Sequence, residues 1–332
     1  MDNVDIGFSP RLSFLSEGDK QKIHHAALQV LEETGMLLHH PGALARLKDA
    51  GCRVAEDNHV RVPAALVERA CASVPNGIRV YNREGELAMD LGGRRSYFGT
   101  GSDLMWSLES ETLTRRRTTL EDIATAARVC EALPNIDFIM SFAHPHELNP
   151  DLAYLASFRA MVENSTKPIV NTAKDRGDLQ AMWEIAKILR GGAQALREKP
   201  YWIQYAEPIS PLKHPFASVD KLIFCAETGS PAIYSPAPIA GSTAPMTIAG
   251  HVVQGLAECF FGLVIHQLTA PGAPFLMGMG AAVLDMSTSQ CSYNAPEYLL
   301  AYMAMVEMSR YLDIPNWGYA CLLYTSPSPR DS

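Results

Sequence analysis

From Ser96 onward the chain repeats one pattern: a short apolar run, a polar turn, then an amphipathic helical stretch. The runs are SYFGTG, DFIMSFA, PIVNTA, YWIQYAE, AIYSPAP, FLMGMGA and NWGYA. Helical periods fall between them at 118–133, 152–164, 179–190, 216–228, 247–268 and 296–312. The runs are too short for helices and are apolar on both faces, as in strands covered on both sides. Strand–helix alternation of this kind implies parallel strands. Seven units without a reversal predict an α/β fold, a (β/α)8 TIM barrel with about seven of its eight strands present. The alternative is an open doubly wound sheet, which would carry a GxGxxG turn after its first strand; GTGSD is too short for that fingerprint. In the first helical stretch Ile123, Ala126, Ala127, Cys130 and Leu133 make one face, and Thr118 with Glu121 reads as a capping box.

Residues 1–94 lack this rhythm. A helix begins at Ser16 and stops at Gly35, and a second covers GALARLKDAG. HVRVP is a short strand, AALVERACASVP a third helix, and IRVYNREGELAMDLGG a hairpin turning at Glu84–Gly85. The expected organisation is an N-terminal helical and hairpin cap, 1–94, and a barrel domain, 95–320. The tail 321–332, CLLYTSPSPRDS, has no strand or helix period and resembles translated sequencing-adapter sequence. It is set apart from the fold, and the native protein is expected to continue with a helix and an eighth strand.

Working residues of such a barrel lie on the loops that follow its strands. EPISPL and AGSTAP, after the fourth and fifth strands, therefore mark the mouth. Glu207 precedes Pro208, which biases it to extended backbone at a strand end. A carboxylate there is costly unless something pairs with it, so Glu207 is the first candidate for chemistry. Asp103, His144 and Asn171 end other strands. The aromatics Phe98, Trp106, Tyr205, Trp317 and Tyr319 cluster near strand ends, where ring faces attract a quaternary ammonium. Gly241, Ser242 and Thr243 offer backbone amides and hydroxyls before a long helix, but the loop has no Lys or Arg to suit a phosphate.

His144 and His146 form an H-x-H, which puts two imidazoles on one side of a strand and suggests a metal-dependent barrel hydrolase as a rival reading. Such a site also wants histidines after later strands, whereas His214, His251 and His266 fall at a helix start or within helical patterns. No metal is expected. A net charge of −8 and a pI near 5.7 argue against a nucleic-acid partner. The most apolar helix, 252–268, is interrupted by Glu258, His266 and two Gln, so it reads as a buried helix and no membrane partner is expected. MDNVDIGFSPRLSF is no secretory signal, and the seven cysteines are scattered singly; the expected location is cytoplasmic.

Longer stretches carry a family likeness. ALQVLEETGM, LKDAGCRV, RVPAALVERA, YNREGELAMDLGG and RRRTTLEDI are joined by EPISPL, PAPIAGSTAPMTIAGHVVQGLAE and APFLMGMG. With these the chain resembles the trimethylamine methyltransferase family of corrinoid-dependent methyltransferases, from about Ile23 to Ala320. The resemblance implies a barrel that moves a methyl group from a methylated amine to the cobalt of a separate corrinoid protein. It implies no tightly bound cofactor of the chain's own, and a homo-oligomer at full length. Roughly a third of the family's length is missing. Founding members carry pyrrolysine; this sequence shows none, which favours the relatives using a quaternary amine such as glycine betaine. On that reading Glu207 holds the cationic nitrogen, with Asp103, Trp106, His144, Asn171, Tyr205 and Tyr319 as substrate-binding candidates. Gly241, Ser242 and Thr243 then form a low rim facing the corrinoid. A non-catalytic betaine- or corrinoid-binding module is a further alternative.

Overall fold

The computed structural model describes residues 12–293 and 295–319. Ala320, Cys321 and the rest of the tail lie outside the described residues. Helix α1 (Glu17–Gln29) opens at Ser16, whose hydroxyl accepts the Asp19 N–H while Asp19 reaches back to the cap. It widens into a π-helical turn, Val30–Thr34, and ends at Gly35 with φ +82°. A Cβ there would lie 2.7 Å from the Val60 carbonyl oxygen, so only glycine fits. There follow β1 (Met36–Leu38), α2 (Pro41–Asp49), β2 (Arg53–Val54), β3 (His59–Arg61), α3 (Ala64–Ser73) and the hairpin β4 (Ile78–Tyr81)–β5 (Leu87–Leu91). The hairpin turns at Gly85, φ +94°, as its sequence predicts.

Beyond it lie a second hairpin, β6 (Trp106–Leu108)–β7 (Arg115–Arg117), then α4 (Leu120–Ala132), α5 (Pro150–Asn164), β8 (Ile169–Asn171), α6 (Arg176–Arg190), α7 (Ala193–Glu198), β9 (Trp202–Ala206) and β10 (Lys213–His214). The remainder is α8 (Phe216–Thr228), β11 (Ala232–Tyr234), β12 (Ile239–Ala240), α9 (Ile248–Thr269), β13 (Phe275–Gly278), β14 (Ala282–Asp285), β15 (Gln290–Ser292), α10 (Pro296–Tyr311) and β16 (Asn316–Trp317).

The capping box of α4 is one residue later than its sequence suggests: Thr119 with Asp122, not Thr118 with Glu121. Competing partners set the register. Thr118 is buried with its hydroxyl 2.8 Å from that of Ser107. Glu121 pairs with Arg128 at 2.6 Å, while Arg116 grips both oxygens of Asp122 at 2.6 and 2.8 Å.

The central sheet is parallel, with β8, β9, β11, β13 and β16 side by side in chain order. Two earlier segments extend it through isolated parallel bridges, Ile139 to Ile169 and Gly99 to Phe138. All seven apolar runs thus stand in sequence, the first two as bridges rather than full strands. The sheet curls: the rings of Phe138, on the second segment, and Trp317, on the seventh, are 5.3 Å apart. In a flat sheet five strand spacings would separate them by about 24 Å. Among the described residues this is a curled, open parallel sheet rather than a closed eight-stranded barrel.

Alternate residues sort to its two faces. Ile169, Trp202, Ala232, Tyr234, Phe275 and Met277 turn outward into the large core shared with the helices. Phe138, Met140, Val170, Ile203, Ile233 and Leu276 turn inward, where Ile78, Val80 and Met89 of β4–β5 pack against them. The hairpin therefore plugs one end of the curled interior. Helix α9 is the hub on the outer side, touching α1, α3, α8 and α10. It is long and apolar enough to cross a membrane by length and composition, yet 72% of its most apolar window is buried inside the protein. Its N-terminal neighbours reach the mouth as well, because β1 pairs in parallel with β10, just past EPISPL.

Candidate active site

At the end of the interior opposite the hairpin, the inward positions change character. Along β9 and just past it the inward series runs Ile203, Tyr205, Glu207; from β16 onward it runs Trp317, Tyr319. The Tyr205 hydroxyl donates to Glu207 Oε2 at 2.8 Å and is also bonded to the Tyr319 hydroxyl. Trp317 lies 6.4 Å from Tyr205 and 6.1 Å from Tyr319, ring to ring. Residues 112 and more apart in sequence thus meet because the sheet curls.

Glu207 is open to solvent through the mouth, yet protein surrounds it on the walls. That burial pushes its carboxyl up from the usual carboxylate range and outweighs the Tyr205 hydrogen bond and the Lys221 charge, which favour ionisation; Asp103 adds to the rise. Burial also drives Tyr205 well above the ordinary phenol range and Tyr319 up to about 12. Both hydroxyls therefore stay protonated at neutral pH and serve as donors. Asp103 stands nearby with a left-handed backbone, φ +62°, and its carboxylate accepts from the Ser102 hydroxyl at 2.8 Å. Tyr154 of α5 is raised to about 12, first by burial and then by Asp103, Asp178 and Glu207.

Two of these residues escape a loop-by-loop reading of the sequence. Tyr154 lies on a helix. Lys221 lies within α8, only 9% exposed, its Nζ donating to the Ala173 carbonyl at 2.7 Å. Burial lowers its pKa, with Glu207 the first of the charges that oppose the fall. A signal was available: Ser218, Lys221, Leu222 and Cys225 form a buried i, i+3, i+4, i+7 stripe, where a lysine needs a reason. Charges at the mouth do not cancel. Asp103 and Glu207 share Lys221, and Asp178 is offset by Lys174 while Asp175 adds to its rise. The excess is negative and rimmed by aromatic rings, an environment that a cation completes.

Other sequence candidates are placed elsewhere. Asn171 is 1% exposed and faces the helices, donating to Gln204 Oε1 at 2.6 Å and lying 3.3 Å from the Met182 sulfur. Trp106 sits on the β6–β7 hairpin with the guanidinium groups of Arg115 and Arg117 at 4.2 and 4.0 Å from its ring. His144 is half-buried at the rim, edge-on to Tyr154 at 5.5 Å and to His146 at 6.0 Å. His146 Nε2 lies 3.2 Å from Arg117. Among the described residues no group of three or more His, Cys, Asp or Glu side chains is set to hold a metal ion.

The loop of Gly241, Ser242 and Thr243 is a closed turn. The N–H groups of residues 242, 243 and 244 all donate to the Ile239 carbonyl, at 2.9–3.0 Å. It offers no free amides to an anion. Gly241 takes φ +84°, a conformation that side chains disfavour, and the Met246 sulfur lies against it. Ser242, at the tip of the turn, is exposed. A separate cavity of about 470 Å³, lined by His24, His25, Glu68, Cys71 and Tyr311, lies across α9 from the sheet and has no part in the mouth.

A sequence profile described as Trimethylamine methyltransferase (MTTB) matches residues 6–324. The chain is 27% identical over 307 residues to the trimethylamine methyltransferase MttB of Desulfitobacterium hafniense strain DSM 10664 / DCB-2, covering 92% of this chain and 62% of that one. It is 28% identical over 310 residues to the glycine betaine methyltransferase of Desulfitobacterium hafniense strain Y51, covering 92% and 64%. Among solved structures, a hydroxylamine complex of MtmB matches with a TM-score of 0.57 at 12% identity, over 92% of this chain and 62% of that one. The Methanosarcina barkeri monomethylamine methyltransferase matches with a TM-score of 0.55 at 11% identity, over 90% and 60%. This chain thus spans somewhat over three-fifths of the length of these relatives, and by the near full-length profile match it belongs to the trimethylamine methyltransferase family.

Proposed function

We propose that the protein transfers a methyl group from a methylated amine, best a quaternary amine such as glycine betaine, to the cobalt of a separate corrinoid protein. The observation that carries this reading is the uncancelled negative charge at an aromatic mouth, centred on Glu207. Family membership and the named activities of the relatives support it.

The corrinoid, when its carrier docks, supplies the nucleophile that takes the methyl carbon. What this chain must do is bind, orient and dry the donor. An N-methyl carbon on a quaternary nitrogen is already activated, since the departing amine is neutral and needs no proton. No general acid is called for, which suits a mouth whose tyrosines hold their protons. Glu207, ionised, attracts the cationic nitrogen, and the Tyr205–Tyr319 pair fixes the carboxylate's direction through the 2.8 Å bond. Trp317 and the two tyrosine rings supply faces for the remaining methyl groups. Asp103 adds to the negative field at Glu207, and the Gly241–Thr243 turn would be the rim that the corrinoid carrier approaches. His144 borders the mouth through Tyr154. The chain has no cofactor of its own in this scheme, and the reaction is assigned to the cytoplasm.

Methylation of free cob(I)alamin by glycine betaine and by trimethylamine, followed by cobalt absorbance, tests the reading. Turnover with a quaternary amine, lost in Glu207→Gln, is the expected result. Binding without turnover would point to a non-catalytic module, and turnover confined to trimethylamine would overturn the substrate assignment.

A further inference from the structure

Glu258 is a titratable group that the scheme above does not use. It lies in the middle of α9, 0% exposed, and no lysine or arginine pairs with it among the described residues. A buried carboxylate without a cation is retained only where hydrogen bonds replace the water it has lost. Here they come from the mouth. Glu258 Oε1 accepts the Leu212 N–H at 2.9 Å and Oε2 accepts the Ser210 hydroxyl at 2.6 Å. One helical turn earlier, Gln254 donates to Glu258 Oε1 at 2.9 Å and to the Thr243 carbonyl at 2.7 Å.

The consequence is a bracket. Two side chains of one rigid helix hold the loop that starts at Glu207 and the turn that ends β12. Leu212 takes a left-handed backbone, φ +57°, which a leucine rarely adopts unless its surroundings impose it. Its N–H points to Glu258, and its carbonyl accepts from Leu37 of β1 at 2.9 Å. The EPISPL loop is therefore pinned on both sides, a few residues past Glu207.

We infer that Glu258 is a positioning residue for Glu207, acting through the loop and, with Gln254, fixing the distance between the carboxylate and the turn at Gly241–Thr243. This rests on the amine-binding reading of the mouth. The bracket sets where the cationic nitrogen sits relative to the rim that an acceptor must clear.

The test uses the chain with tetramethylammonium as probe, titrated by calorimetry well below the melting temperature, beside cob(I)alamin methylation by glycine betaine. Glu258→Ala should weaken tetramethylammonium binding at least tenfold and lower kcat with it. Glu258→Gln should stay within about threefold, because its amide oxygen still accepts from Leu212 and Gln254 while its NH2 donates to the Ser210 hydroxyl. A purely packing role would lower the melting temperature of both variants yet leave the folded protein's affinity unchanged, and that outcome overturns the inference. Should Glu258→Ala fail to fold, Ser210→Ala and Gln254→Leu each remove one bond of the bracket. A loss of about threefold in either supports it, and wild-type affinity in both overturns it. Wild-type protein that binds no quaternary cation would sink the functional reading itself, a result visible before any variant is made.

Discussion

The two ends of the curled interior are built from the same strands by the same alternation, yet they do opposite things. At the hairpin end Ile203, Ile233 and Leu276 meet Ile78, Val80 and Met89, apolar against apolar. At the mouth, toward and just past the ends of β9 and β16, the inward positions become Tyr205, Glu207 and Tyr319, and the carboxylate and phenols are perturbed by burial. One end holds the sheet curled. The other spends part of that stability on groups that would be better solvated in water.

The sharpest way to break this contrast is a charge at the closed end. Ile233→Asp would place a carboxylate in a fully buried apolar cluster, and a loss of about 4 kcal/mol or more is expected, enough to abolish a cooperative thermal transition. Ile233→Ala should cost about 2–5 kcal/mol by cavity formation alone. A melt indistinguishable from wild type in either variant would show that the hairpin does not plug the interior.

A smaller effect is expected at Lys221, where the mouth's two carboxylates meet their buried counter-charge. Lys221→Met removes the cation that favours Glu207 ionisation, so the pH at which the carboxylate charges should rise. Above that pH a cation should bind more tightly than to wild type, since a competing positive charge has gone. Titrations at acidic and mildly alkaline pH would show the two affinities crossing. Parallel curves would mean that Lys221 does not feel Glu207.

The mildest change is Tyr319→Phe, which deletes one hydroxyl of the Tyr205–Tyr319 pair but keeps the ring. A stability change of about 1 kcal/mol and a few-fold loss of amine affinity are expected. An affinity loss as large as that of Glu207→Gln would move the centre of the site from the carboxylate to the phenols.

Much of this architecture was legible in the chain. Helix-length periods and double-faced apolar runs depend on local spacing, so the seven units, their order and the Gly85 hairpin could be read directly. The place of Glu207 just past a strand end was legible too, through Pro208. What escaped depends on partners distant in sequence. The pairing of β1 with β10 joins residues 37 and 213, and nothing local announces it. Asn171 was expected at the mouth as the end of a strand, but the parity of β8 turns it to the helices, where Gln204 meets it. The first two runs carry Gly99 and Gly101, then Ser141, and form bridges rather than regular strands. The cap of α4 shifted by one residue because Arg116, from a hairpin not foreseen, claims Asp122. Lys221 and Glu258 share a lesson: a charged residue inside an apolar helical stripe marks a buried partner, here the mouth in both cases.

The central claim is that an ionised Glu207 makes the mouth a cation site. Tetramethylammonium, which has no titratable group, should be titrated into wild type and Glu207→Gln by calorimetry from acidic to neutral pH. Burial raises the Glu207 pKa above its ordinary, unfolded value. The protonated form is therefore favoured in the folded state, and the group's contribution to stability is lost as pH rises through the folded pKa. Binding should run the other way. The account predicts affinity that appears as pH rises through that raised pKa, and a bound cation that shifts ionisation back toward the ordinary carboxylate range. Glu207→Gln should bind at least tenfold more weakly, about 1.4 kcal/mol, with a flat pH profile. Equal affinities with the same pH dependence in the two proteins would contradict it.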